Sequence, residues 1–323
     1  MDLRLVLLIA ALVLLLGAIG YATLVGIVGS RALMHPPAWP DRRTPLDRFG
    51  WAYKAINYDI ADDSAAPNPR AATAGTDVVT SDGIHIAGWY IPAANGAGPT
   101  GTTVVLVHGW STNKSDVIKY AVPFHAAFNV VAFDLRNSGQ SSRTVSTFGL
   151  RESLDLEAVI DWLERTKHPA HIAVMGCSVG GAASVLAAVR DRRIEALILD
   201  STHARVQDLI GRRLRVDEGQ PSWPGTPSVL FWTWLRTRLD LRDSNPIDTI
   251  PKLGRRPVLL IHGASDQLDL PADSVQANYR AAQAAGVPVE LHICEGGTHG
   301  MVIEACPDAW ARWSVEFLDR VFG

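Results

Sequence analysis

The sequence predicts an α/β protein with an open, mostly parallel central sheet. Short apolar runs, at residues 103–107, 172–175, 196–199 and 258–261, are typical of strands buried on both faces. Residues 152–165 lie between two of these runs and carry apolar side chains at helical spacing. Strands that alternate with helices in this way predict a parallel sheet covered by helices on both faces.

Length, charge and cysteine content restrict the class of protein further. The chain of 323 residues can form one large α/β domain with an appendage. Its formal net charge of −3 favours no nucleic-acid partner. The three cysteines have neither the spacing of a metal site nor that of a disulfide framework, so we expect none of them to be paired and no metal: Cys177, Cys294 and Cys306.

An uncharged apolar segment occupies residues 5–28. It exceeds the roughly 18 residues that indicate a membrane-spanning helix and the ~7–15-residue apolar region of a signal peptide. We therefore predict a single-pass transmembrane anchor at residues 1–30, with a cleaved signal or a buried core helix as the alternatives. The distribution of positive charge weakly favours a cytoplasmic catalytic domain, and the side of the membrane on which the domain lies stays undecided. Arg4 on the near side is offset by Asp2, and the far side carries Arg31, Arg42, Arg43 and Arg48.

The anchor is followed by a lead-in and then by the catalytic domain. Proline density at residues 36–40 rules out a continuous helix, so residues 31–75 are predicted to be a linker. The catalytic domain is predicted at residues 76–323. It begins with a hairpin, because strand-like runs flank Ser81-Asp82-Gly83. A helix is expected over residues 115–127 and a strand over 130–133, followed by a loop. Asp134 and Arg136 are expected to brace this loop, with contact to substrate as the alternative.

Residues 172–183 have the pattern of a strand, a sharp turn and a helix, with a G-x-S-x-G match from Gly176 to Gly180. A nucleophilic serine at such a turn needs glycines around it, because the backbone passes close to neighbouring chain. The helix that follows Ser178 directs its N-terminal amides towards a developing anion. The pattern predicts Ser178 as a nucleophile, and Cys177 beside it as a buried core residue.

The regular alternation stops at residues 202–257, an interval too long for a simple connection. We predict a small helical cap at about 202–250 above the active site. Its aromatic residues have three possible roles: lining an acyl pocket, packing the cap onto the domain, or contacting lipid. The residues concerned are Phe231, Trp232 and Trp234, with Trp223, Arg236 and Arg238 nearby.

Candidate catalytic residues follow three predicted strands, 172–175, 258–261 and 289–293, at their carboxyl ends, where loops of a parallel sheet gather into one crevice. Their chain order, Ser178, Asp266, His299, matches the nucleophile-elbow architecture. A serine hydroxyl needs a base within reach and the base needs an orienting group, so we predict His299 as base and Asp266 as acid. Alternative acids are Asp269 and Asp200. His292 is the alternative base, although strand pairing should hold it away.

Two backbone amides are predicted to form an oxyanion hole. His108-Gly109 ends the strand at residues 103–107, where this architecture places one amide donor. The expected donors are the N–H groups of Trp110 and Val179, and aligned amides there would stabilise the transition state. His108 itself is expected to be a structural hydrogen-bonding residue.

From about Asp77 to Phe322 the chain resembles the α/β-hydrolase superfamily. Within this superfamily, the chain resembles a branch of small-cap serine hydrolases that includes serine-aminopeptidase-like enzymes and membrane-tethered acyl-protein thioesterases. The resemblance implies hydrolysis of carboxylic esters, thioesters or amides without a cofactor. Leu270-Pro271 replaces the usual Val-Pro pair, and Trp110 replaces a smaller or more polar residue. Five blocks carry the resemblance: 108–109, 134–141, 176–180, 262–266 and 298–300.

The expected function is therefore that of a membrane-anchored serine hydrolase acting on a small-molecule or lipid-like acyl substrate. An acyltransferase that uses the same three side chains, or a binding protein that keeps the fold without catalysis, are the alternatives. The sequence specifies neither the acyl chain length nor the oligomeric state.

Overall fold

A mostly parallel eight-stranded sheet forms the centre of the protein in the computed structural model, which describes residues 3–37, 49–51, 54–56, 78–94 and 101–323. The strand order is β1-β4-β6-β5-β7-β8-β9-β10. Strand β4 runs antiparallel to both of its neighbours, β1 and β6, and the strands from β6 to β10 run parallel to one another. Strands β2 and β3 form a separate two-stranded sheet. The strands are β1 Lys54–Ile56, β2 Val78–Val79, β3 His85–Ile86, β4 Gly88–Ile91, β5 Thr102–Val107, β6 Asn129–Phe133, β7 His171–Cys177, β8 Ile194–Asp200, β9 Val258–Gly263 and β10 Val289–Cys294.

Helices cover both faces of the sheet, as predicted. The helices are α1 Leu3–Met34, α2 Lys114–Val117, α3 Glu152–Thr166, α4 Val179–Arg190, α5 Val206–Val216, α6 Ser222–Thr237, α7 Pro246–Thr249, α8 Val275–Ala284, α9 Val302–Ala305 and α10 Pro307–Phe322. Side chains alternate along each strand, so Val105 and Val107 pack in one core with α3, α4 and α8. Val104 and Leu106 pack in the opposite core, against residues 117–128 and α10. The sheet is thereby buried on both faces, which explains its continuous apolar runs.

Two predicted elements differ from the structure. The hairpin is confirmed for β2 and β3. The second predicted strand of the hairpin is shorter than expected, because its later residues form a separate strand, β4, in the main sheet. The predicted helix at 115–127 was wrong beyond its start, because α2 is followed by a 3₁₀ turn at Ile118–Ala121 and then by turns. Pro123 lacks the amide hydrogen that a continuing helix would need. The sheet also includes β1, which precedes the predicted domain start at residue 76. Most of the predicted linker, 31–75, lies outside the described residues.

The cap consists of α5 and α6 and lies where the alternation of strands and helices stops. Helix α1 packs on it. Residues 4–20 of α1 are exposed, whereas Gly26, Ser30, Leu33 and Met34 are buried. This exposure contradicts the alternative of a buried core helix, and α1 is long and apolar enough to cross a membrane. In the cap, Trp232 packs against α1 at Gly26, while the other aromatic residues are exposed: Trp223, Phe231 and Trp234.

Candidate active site

The turn between β7 and α4 places Ser178 in a backbone conformation that few residues adopt, with φ 53° and ψ −118°. The two glycines of the motif make this turn possible. A Cβ at Gly176 would lie 2.7 Å from the carbonyl oxygen of Gly180, and one at Gly180 would collide with the carbonyl oxygens of Val107 and His108. The sequence therefore forms a strained strand-to-helix turn that presents Ser178 at the carboxyl end of β7, a central strand of the sheet.

The structure brings Ser178, His299 and Asp266 together, although they come from three distant parts of the chain. Ser178 Oγ lies 2.9 Å from His299 Nε2, and His299 Nδ1 lies 2.8 Å from Asp266 Oδ2. Asp266 is fully buried and His299 is half-buried in the loop after β10. These distances are those of hydrogen bonds. The arrangement allows the histidine to accept the serine proton while the carboxylate fixes its orientation.

Asp266 is held as a carboxylate by its surroundings. Its Oδ1 accepts hydrogen bonds from the backbone amides of Leu268 at 3.0 Å and Asp269 at 2.8 Å. Burial alone would raise the pKa of Asp266, but the hydrogen bonds from His262 and His299 outweigh it and hold that pKa well below its usual range. His262 Nε2 lies 3.3 Å from Asp266 Oδ2 and 2.7 Å from the carbonyl oxygen of Asp269.

The alternative residues from the sequence have other contacts. Asp200 accepts hydrogen bonds from Ser201 Oγ at 2.7 Å and from Trp310 Nε1 at 2.8 Å. Asp269 is buried, and this burial raises its pKa to about 7. His292 lies on β10 and stacks on Trp313, with ring centroids 4.6 Å apart. Asp266 is therefore the carboxylate of the three acid candidates that is hydrogen-bonded to His299 in the structure.

Trp110 and Val179, the residues expected to supply the oxyanion amides, line one cavity of about 400 Å³ together with Ser178 and His299. A Cβ at Gly109 would lie 3.4 Å from Cβ of Ser178, so the loop after β5 passes directly beside the serine. His108 is buried; its Nδ1–H donates to the Gly109 carbonyl at 2.7 Å and its Nε2 accepts from the Leu135 amide at 2.9 Å. Burial lowers the pKa of His108. This bonding confirms the predicted structural role of that histidine.

Bracing of the loop after β6 is also confirmed. Asp134 pairs with the fully buried Lys114 at 2.7 Å and accepts the Gln140 amide at 2.8 Å. Arg136 forms ion pairs with Asp155 at 2.8 Å and Asp82 at 2.7 Å. These charged side chains therefore bind one another and hold the loop beside the site.

Several groups that position the loop of His299 were not found from the sequence. The Gly300 amide donates to Ser201 Oγ at 3.1 Å, and the Gly300 carbonyl accepts from Lys119 Nζ at 2.7 Å and from Tyr120 Oη at 3.3 Å. None of the three side chains belongs to a motif, and their role depends on contacts between distant segments. The placement of Ser201 directly after the end of β8 was the one available signal.

The expectation that all cysteines are unpaired was wrong. Cys294, at the end of β10, forms a disulfide with Cys306, which directly precedes α10, across a sequence separation of 12. His299 lies in the loop that this bond closes. Because the two partners meet only when that loop folds back, sequence spacing alone gave no indication of the pairing. Cys177 is free and buried, as predicted, and burial raises the pKa of its thiol to about 12.

The parallel sheet, the strained serine turn and the hydrogen-bonded serine, histidine and aspartate define the class of α/β hydrolases. A family model described as alpha/beta hydrolase fold matches residues 102–226. An uncharacterized protein of Bacillus subtilis, YqkD, is 30% identical over 226 residues, covering 69% of this chain and 72% of that protein. An uncharacterized protein of Mycobacterium tuberculosis, Rv2307c, is 31% identical over 245 residues, covering 73% and 77%. The chain belongs to the α/β-hydrolase superfamily.

Solved structures show the same fold. The esterase Pf2001 of Pyrococcus furiosus superposes with a TM-score of 0.68 at 22% identity and covers 90% of this chain and 99% of that chain. A thermophilic esterase from Thermogutta terrifontis gives a TM-score of 0.56 at 21% identity, covering 76% and 98%. At these identities the similarity establishes the architecture, and the chemistry must be argued from the residues of this chain.

Proposed function

We propose that the protein is a membrane-anchored serine hydrolase that cleaves carboxylic ester, thioester or amide bonds through an acyl-enzyme. The observation that carries the proposal is the chain of two hydrogen bonds, 2.9 Å from Ser178 Oγ to His299 Nε2 and 2.8 Å from His299 Nδ1 to Asp266 Oδ2. The esterase-like fold and the 400 Å³ cavity at Ser178 also support it. The exposed apolar part of α1 supports attachment to a membrane.

In the proposed reaction Ser178 Oγ attacks the substrate carbonyl carbon while His299 Nε2 takes the serine proton. The tetrahedral oxyanion is stabilised by the backbone amides of Trp110 and Val179. Collapse of this intermediate breaks the bond to the alcohol, thiol or amine, which leaves with the proton from His299. Water then attacks the acyl-enzyme with His299 as base, which releases the carboxylic acid and regenerates Ser178.

Labelling with a fluorophosphonate tests the proposal on the full chain in detergent. We expect the wild type to react covalently and to hydrolyse p-nitrophenyl acetate, and Ser178→Ala to do neither. His299→Ala should lose nearly as much turnover, about 10³-fold or more, because the members of a triad act as a unit.

A serine outside the cavity serves as the control. Ser138 lies in the loop after β6, and Ser138→Ala should label and turn over like the wild type. A folded wild-type protein that neither labels nor hydrolyses would favour the non-catalytic alternative. Labelling that persists in Ser178→Ala would show that another residue is the nucleophile.

A further inference from the structure

A second cavity, of about 450 Å³, lies between α1 and the cap. Its volume is within the range of about 300–1,000 Å³ that is common for small-molecule sites. Most of its lining is apolar, from α1, α5 and α6. The lining includes Leu24, Val25, Val28, Ile210, Leu214 and Val229.

The cavity adjoins the catalytic one through two shared residues. Trp110 and Arg213 line both cavities. The Arg213 guanidinium lies over the Trp110 ring, 4.3 Å from its centroid, and Trp110 Nε1 donates to the Leu33 carbonyl of α1 at 2.9 Å. The stacked side chains of Trp110 and Arg213 therefore form the wall that the apolar cavity shares with the cavity of Ser178. The Trp110 indole in this wall is hydrogen-bonded to α1.

The position of α1 gives the cavity an opening towards a bilayer. Residues 4–20 are exposed, and at 1.5 Å per residue they span about 25 Å, close to the thickness of a hydrocarbon core. The cavity begins at Tyr21, whose hydroxyl donates to Gln220 of the cap at 2.8 Å. Leu24 and Val28 line it and are 63% and 57% exposed, so it is open along the outer side of α1.

Close packing fixes the wall that α1 provides. A Cβ at Gly29 would lie 2.7 Å from Val229 Cγ2, and one at Gly26 would lie 2.9 Å from the Ser228 carbonyl oxygen. The Met34 carbonyl at the end of the helix accepts hydrogen bonds from Asn137 Nδ2 at 3.1 Å and the Ser146 amide at 2.9 Å. The second half of α1 is thus a structural part of the cap and not a free tether.

We propose that this cavity holds the long acyl chain of the substrate, which enters from the bilayer along α1 and extends past Trp110 and Arg213 to place its carbonyl at Ser178. The inference rests on the proposed serine hydrolase function and specifies its substrate class as long-chain acyl esters or thioesters. The apolar lining, the opening on the outer side of α1 and the shared wall with the catalytic cavity all favour a hydrocarbon chain as the occupant.

Ester chain length, measured on the full chain in detergent, tests the inference. We expect kcat/KM to rise at least tenfold from p-nitrophenyl acetate to the octanoate, since each additional methylene removes apolar surface from water in the cavity. Ala32 lines the cavity and is exposed, so Ala32→Trp should narrow it without disturbing the core. This variant should lose about tenfold on octanoate and palmitate and keep its acetate rate within twofold.

Thr23→Trp is the matched control. Thr23 is exposed on the same helix but is not among the residues that line the cavity, so this change adds the same indole ring outside it. It should leave the ratio of octanoate to acetate rates unchanged. A photoreactive palmitate analogue should cross-link to α1 or α5 peptides in wild type and in Thr23→Trp, and less in Ala32→Trp.

The outcomes separate the two proposals. A wild type that labels with fluorophosphonate but prefers acetate, or an Ala32→Trp variant that keeps the wild-type chain-length profile, would overturn the acyl site and leave the hydrolase standing. Equal losses on acetate and palmitate in Ala32→Trp would assign the cavity a purely structural role. Absence of both labelling and hydrolysis would refute the proposed function, and the acyl site with it.

Discussion

Asp266 and Asp269 lie three positions apart, but their carboxylates have different surroundings. Asp266 contacts His299 and two backbone amides, whereas Asp269 Oδ2 is buried with no hydrogen-bond partner among the described residues. A carboxylate that stays ionised beside Nδ1 keeps the imidazole proton on that nitrogen, which leaves Nε2 able to accept the serine proton. Asp266 meets this requirement. Burial raises the pKa of Asp269 to about 7, so its charged form is less favoured than that of Asp266.

Replacing each of these carboxylates by an amide should therefore have unequal effects. Asp266→Asn should lower kcat for an acetate ester by about 10³–10⁴-fold, because the amide favours the wrong histidine tautomer. Asp269→Asn should change kcat by less than tenfold, since the Asp269 side chain makes no hydrogen bond to His299. Thermal unfolding of both variants checks that they are folded. A greater loss in Asp269→Asn than in Asp266→Asn would reverse the assignment of the acid.

At the scale of elements, the loop between β10 and α10 carries His299 and is held at both ends and in its middle. The disulfide between Cys294 and Cys306 closes the loop. Ser201, Lys119 and Tyr120 bond the backbone of Gly300, beside the histidine. A base on a loop needs such constraints, because small displacements of a catalytic group are costly in rate. We therefore propose that the disulfide helps to position His299, the proposed base.

Thiol counting checks the pairing. Denatured but unreduced protein should react with one equivalent of maleimide, at Cys177, and reduced protein with three. Reduction, or the double change Cys294→Ser and Cys306→Ser, should lower the free energy of unfolding by about 2–4 kcal/mol and should reduce kcat more than KM. Cys177→Ala is the control and should give zero thiols before reduction and two after it. Three reactive thiols in denatured, unreduced protein would refute the bond.

Whether an element could be predicted from the sequence depends on whether contiguous residues or distant segments determine it. Strands β5 to β9 and helix α3 were predicted closely, because buried apolar runs and helical spacing are properties of contiguous residues. The serine turn was predictable for the same reason, since Gly176, Ser178 and Gly180 form one short motif. The disulfide, the support of Gly300 and the docking of α1 on the cap were missed, because each joins segments that are distant in the chain. Among these, the Gly26–Trp232 contact gives no periodic signal at all.

At the scale of the whole molecule, two features give opposite indications of the side of the membrane on which the proposed catalytic domain lies. Four arginines after the apolar segment, Arg31, Arg42, Arg43 and Arg48, favour the cytoplasm. The disulfide favours an oxidising compartment, because cytosolic thiols are kept reduced. The charge bias is weak, since Arg4 and the α-amino group oppose it, whereas the disulfide closes the loop that carries His299, the proposed base. We therefore expect the domain to lie outside the cytoplasm.

Reporter fusions to the full chain in bacterial cells decide this topology. Alkaline phosphatase, which needs its own disulfides, should be active when fused after Gly323, and green fluorescent protein at the same position should be dark. Fusions directly after Pro37 should give the same result, because α1 is the one helix in the described parts of the chain that is long and apolar enough to cross a membrane. A variant without residues 3–34 is the control and should reverse both reporters. Fluorescent full-length fusions would place the domain in the cytoplasm, where Cys294 and Cys306 would be reduced and the loop of His299 would rely on its hydrogen bonds alone.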